Sequence, residues 1–131
     1  MTLRYYNTNP GLGYVPSYQV SAIPLLKSEI TVPTTSPLAI EFGSVTRFVI
    51  ITNTAASSDP NVPIKFGITY DGILGTNYLL LNNGESFQAE WKVIKLYLLA
   101  PESEGQCSIA AGLTDIQKNS LDWNWEGNEG V

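Results

Sequence analysis

The sequence predicts an all-β fold: a single jelly-roll or Greek-key sandwich of about eight strands with extended N- and C-terminal arms. Three observations lead there. Short runs of β-branched and aromatic residues recur between clusters of Pro, Gly and Asn. Helical periodicity is nearly absent. Several runs alternate apolar and polar residues, the period of a strand with one face buried.

Residues 1–28 read as an arm. Pro10, Pro16 and Pro24, with Gly11 and Gly13, surround Tyr5, Tyr6, Tyr14 and Tyr18. Proline removes backbone donors and fixes extended geometry, so a central strand is excluded there. Strands are expected at 29–32, 38–42, 46–52, 64–70, 78–81, 86–92, 94–99 and 106–113, within a domain spanning 29–116. In IKFGITY the alternation turns Phe66, Ile68 and Tyr70 inward, and in SFQAEWK it turns Phe87, Ala89 and Trp91 inward. In CSIAAGL the inward residues are Cys107, Ile109, Ala111 and Leu113. RFVII and LYLLA are apolar on both faces, as befits central strands or strands beneath a partner subunit. Asp71-Gly72 and Asn83-Gly84 tolerate positive φ and read as tight turns. The stretch 52–63, with two prolines, is a long polar loop.

Residues 117–131 form the second arm, which carries Trp123 and Trp125 among acids and glycines. Spaced by two, both rings would share one side of an extended chain. They could fold back on this domain or dock on another subunit. Docking is preferred, because tryptophan is enriched among residues that dominate association. Asp122, Glu126 and Glu129 would keep the free tail soluble.

Composition narrows the chemistry. The net charge is −5 and the seven Lys and Arg are scattered, so no basic stripe awaits nucleic acid or an anionic membrane. No apolar run approaches the roughly 20 residues of a spanning helix. With no histidine, triads and Cys/His zinc sites are out of reach. The lone Cys107 reads as a small buried hydrophobe, which leaves no disulfide to form within the chain. A carboxylate pair would have to draw on Asp71, Glu85 and Glu90. A turn explains the first, backbone bonding the second and an outward strand position the third. GILGTNY lacks the ending of a phosphate loop and no helix follows it. The expectation is therefore a protein that is not an enzyme and uses no cofactor or metal. A glycan site built on Asp71, Asn77 and Tyr78, beside Tyr70, is the alternative.

Four stretches occur together in order: YVPSYQVSAIP at 14–24, IEFGSVTRFVIITN at 40–53, FGITYDGILGTNYLLLNNGESF at 66–87 and CSIAAGLTDI at 107–116. Together they resemble the small β-sandwich structural proteins of virions, namely the minor capsid, decoration and vertex proteins of phages and large DNA viruses. The resemblance covers about three quarters of the chain. It implies a virion component assembled in the host cytoplasm and bound to a major capsid protein or other virion proteins. It also implies a homo-oligomer, with a trimer the first guess although no residue fixes the number. Trp123, Trp125, Tyr5, Tyr6, Tyr14 and Tyr18 would then be the docking anchors. A receptor- or carbohydrate-binding module of a fibre or tail is the second expectation.

Overall fold

The computed structural model describes residues 12–13, 23–56 and 58–131. Eight strands run in the order β1 (Ile23–Val32), β2 (Leu38–Glu41), β3 (Ser44–Asn53), β4 (Ile64–Gly67), β5 (Leu79–Leu81), β6 (Ser86–Ala89), β7 (Lys95–Leu99) and β8 (Gly105–Gln117). A five-residue helix, α1 (Tyr70–Leu74), follows β4, and a 3-10 turn at Lys118–Leu121 follows β8. The strands form two four-stranded sheets, one ordered β1-β8-β3-β6 and the other β2-β7-β4-β5.

Pairing is antiparallel throughout and nested. The first strand pairs with the last, the second with the seventh, the third with the sixth and the fourth with the fifth. Contacts of β3 with β8 and of β4 with β7 join these ribbons into the two sheets. Apart from the β4-β5 pair, consecutive strands therefore lie in opposite sheets, and their connections wrap the core.

The alternation read from the sequence fills that core. Val49, Ile51, Cys107, Ile109 and Ala111 of the first sheet meet Ile40, Ile64, Phe66, Leu96 and Leu98 of the second. Aromatic rings close one flank. The Phe87 centroid lies 5.1 Å from those of both Phe66 and Trp91, so a ring from each sheet is bridged. Burial pushes the Cys107 thiol up to about 11, because a thiolate there would be stripped of water.

Several expectations change. β1 reaches back to Ile23, inside the stretch read as an arm, and pairs there with Leu113. Asp71-Gly72 is not a hairpin turn but the first turn of α1. Thr69 caps that helix by accepting from the Gly72 amide at 3.0 Å. Tyr70 consequently leaves the strand face assigned to it and is 45% exposed. Asn83-Gly84 does turn tightly, with Gly84 at φ 78°, but it joins β5 of one sheet to β6 of the other. Asparagines hold this corner to the long polar loop. The Asn83 side chain donates to Pro60 O at 2.9 Å and accepts from Val62 N at 2.9 Å. Glu85 has the backbone role expected of it, accepting from Asn82 N at 2.6 Å.

Candidate functional site

Two surfaces compete for a functional role: the clasp that holds the C-terminal segment and the outer face of the β1-β8-β3-β6 sheet.

The clasp starts from Leu121, which is buried with Val45, Ile94 and Ile116 at one end of the sandwich. The chain then turns through two left-handed residues, Asn124 (φ 46°) and Trp125 (φ 65°). Asparagine tolerates this region through its short polar side chain, whereas tryptophan enters it only where packing compensates. Asn124 is fully buried and fully used. Its Oδ1 accepts from Ile94 N at 2.9 Å, and its Nδ2 donates to Ile68 O at 2.8 Å and Lys95 O at 3.1 Å. One side chain thus ties the ends of β4 and β7 to the tail. The Trp125 ring packs against the core, and its Nε1 donates to Lys92 O.

Further along, the Val131 carbonyl oxygen accepts from Thr69 Oγ1 at 2.8 Å, and Asn77 Nδ2 donates to Glu129 O at 3.2 Å. Gly72 makes the seat. A Cβ there would lie 2.4 Å from the Val131 oxygen, so only glycine lets the tail close on α1. Beside Val131 an apolar cleft of about 240 Å³ opens between Phe66, Tyr78, Leu79 and Trp91.

These contacts settle where the predicted anchors lie. Trp125 docks on its own chain, so its role as an anchor for a neighbour is corrected. Its bonded ring completes the domain's own end. Trp123, expected on the same side, is separated from it by the left-handed turn and stays 45% exposed. Tyr5, Tyr6, Tyr14 and Tyr18 lie outside the described residues. The glycan candidates lie around α1, where Asn77 N donates to Gly72 O at 3.0 Å and Asn77 and Tyr78 line one cleft. Asp71 is exposed on α1, the Asn77 amide holds the tail, and Tyr78 is half-buried with Lys65 Nζ 4.2 Å above its ring. Asn124 and Thr69 were missed by sequence reasoning. The only signals were an asparagine between two tryptophans and a threonine three residues before Gly72.

The outer face follows from the register. Leu25, Ile109, Ala111, Val49 and Ile51 point to the core, so their neighbours point out. Leu26, Ala110, Ile50 and Gln88 form one row across the four strands. Pro24, Gly112 and Phe48 form the row on one side of it. On the other side lie Ser108, Thr52 and Ser86, with a 2.6 Å hydroxyl bond between the last two. None of these residues is charged. Glu29, Arg47 and Asp115 sit at register shifts, while Lys27 pairs with the inward Ile109. Leu26 is 79% exposed and, with the exposed Lys27, borders a groove of about 320 Å³ lined by Ile50, Ser108 and Ala110.

Among the described residues, no group of three or more His, Cys, Asp or Glu is placed to hold a metal, and no helix is long and apolar enough to cross a membrane. Comparison with protein-family models, curated proteins and solved structures gives no match.

Proposed function

We propose that this chain is a non-enzymatic structural protein of a virion, a decoration, cement or vertex-associated component acting through protein–protein contacts. The nested strand pairing carries the reading. Strands paired first with last and fourth with fifth, then rolled so that each remaining consecutive pair crosses between sheets, support assignment as an eight-stranded jelly roll. That architecture recurs in capsid proteins, lectins and cupins.

The interior favours the first of these. Cupin chemistry works from ligands inside the roll, whereas here that space is filled by Val, Ile, Leu and Phe side chains. The one titratable side chain among the core residues, Cys107, is held neutral. An outer face whose central rows are uncharged, with Lys27 at their border, suits attachment to a major shell protein or to further copies of the chain. The Asn77 amide is engaged by the tail and Tyr78 is half-buried beneath Lys65, which counts against the glycan-binding alternative.

Mass analysis of intact particles from the source tests the proposal. The expected result is this chain at a fixed ratio to the major shell protein. Its absence from particles, together with binding of the purified protein to a glycan panel, would replace the proposal with the receptor-binding reading.

A further inference from the structure

We propose that residues 127–131 form a strap that opens as a unit at Gly127 while the sandwich stays folded. Its opening joins two hollows of the surface into one apolar groove. The inference goes beyond the structural reading above and does not depend on it.

The anchoring of the C-terminal segment changes abruptly at Trp125. Up to that residue the chain is held by buried groups: Leu121 in its cluster, Asn124 through three bonds, and the Trp125 ring against the core. From Glu126 to Gly130 every residue is exposed. Three side-chain bonds fasten this stretch to α1 and its flanks. Asn77 Nδ2 donates to Glu129 O at 3.2 Å and to Val131 O at 3.4 Å, and Thr69 Oγ1 donates to Val131 O at 2.8 Å. The two Asn77 bonds lie within reach of water, which competes for them and leaves little net hold.

The break in anchoring coincides with a joint. Gly127 has φ 92°, a conformation that glycine alone adopts without strain, and a Cβ there would meet nothing within 4 Å. The backbone turn requires this glycine, and no packing restrains it as a pivot.

Val131 is the part of the strap that covers. It is half-buried and lines both the cleft of about 240 Å³ and a second hollow of about 330 Å³ beside Lys92 and Trp125. Ile68 and Trp91 are walls of both, so Val131 stands as the partition between them. With Val131 withdrawn, the cleft at Phe66, Tyr78 and Leu79 runs on over Ile68 and Trp91 to the Trp125 ring. Shielding of these apolar surfaces favours the closed strap, and the few bonds that fasten it make opening cheaper than unfolding.

Hydrogen exchange followed by NMR on the intact chain, in sub-denaturing urea, tests the strap. The Asn128 and Val131 amides, bonded to Trp125 O and Asn128 O, report on the strap. The Ile94 amide, bonded to Asn124 Oδ1, reports on the sandwich. The strap amides should exchange faster than Ile94 and independently of urea, while Ile94 exchange rises with it. Gly127→Ala and Asn77→Ala should accelerate the strap amides about fivefold or more and leave Ile94 unchanged. Both variants should also raise the emission of the neutral dye prodan excited through tryptophan, because Trp91 and Trp125 line the joined groove. Strap amides with the urea dependence of Ile94, or variants that move all three amides together, overturn the inference: the strap would then open only with the sandwich. Faster strap exchange without a gain in dye binding overturns it too, since the strap would then cover no groove.

Discussion

The two sheets of the sandwich treat their outer faces in opposite ways. The outer face of β2-β7-β4-β5 mixes charge with aromatic rings: Glu41 opposite Lys95, Tyr97 opposite Ala39, and Lys65 between Leu80 and Leu99. Its apolar centre is then roofed. Ile73 of α1 is buried against Tyr97 and Leu99, and Tyr70 meets the Tyr97 ring edge-on at 5.9 Å. The clasp on Gly72 and Thr69 fixes that roof in turn. The other sheet has no charge on its central rows, with Lys27 at their border, and among the described residues no element lies above them.

Removing the roof should have the largest effect. Ile73→Ala empties a fully buried site and should cost about 3–4 kcal/mol in urea denaturation. Asn124→Ala should follow at about 2–3 kcal/mol, because Ile94 N and the Ile68 and Lys95 carbonyls lose their partner. A loss below about 0.5 kcal/mol would mean that the tail is not integral to the fold. Gly72→Ala is expected to cost about 1–3 kcal/mol, since Val131 must move from its seat. Trp125 fluorescence should report that movement before global unfolding does. On the open face, Leu26→Lys should change monomer stability by no more than about 0.5 kcal/mol, since the side chain is 79% exposed.

The core beneath both faces gives a signal confined to alkaline pH, and its sign is fixed. The Cys107 thiol is raised from 9.0 to about 11 in the fold, so only the unfolded chain ionises between those values. Its contribution to stability is complete below pH 9 and is lost as pH rises towards 11. Denaturation midpoints of wild type and Cys107→Ala should therefore run parallel up to pH 9 and converge above it. Thiol reagents should label Cys107 only as fast as the protein unfolds.

Most strands were legible because each carries its own pattern. CSIAAGL and SFQAEWK alternate cleanly: Cys107, Ile109 and Ala111 are buried, and Phe87, Ala89 and Trp91 are half-buried between exposed neighbours. What sequence could not supply were the choices that depend on distant contacts. Thr69 accepts the Gly72 amide, and that local capping bond turns the expected end of a strand into α1. Asn83-Gly84 looks like a hairpin turn, but whether it stays in one sheet or crosses to the other depends on where β3 and β4 lie. In the tail, glycines and acids suggested a free arm. The buried bonds of Asn124 override them, since all three of its partners belong to segments far away in the chain. The two tryptophans were read as a pair, and the left-handed turn between them gives one to the core and leaves the other in water.

Nested pairing also has a kinetic side. Ile64 of β4 finds Leu81 across a single helix-bearing connection, whereas Ile23 finds Leu113 only when nearly all the intervening chain is in place. Loop-closure entropy falls as inner pairs form first, so assembly is directed outward from the β4-β5 ribbon to the β1-β8 ribbon. The outer face of β1, β8, β3 and β6 is therefore complete only at the final step, and a chain still folding cannot present it.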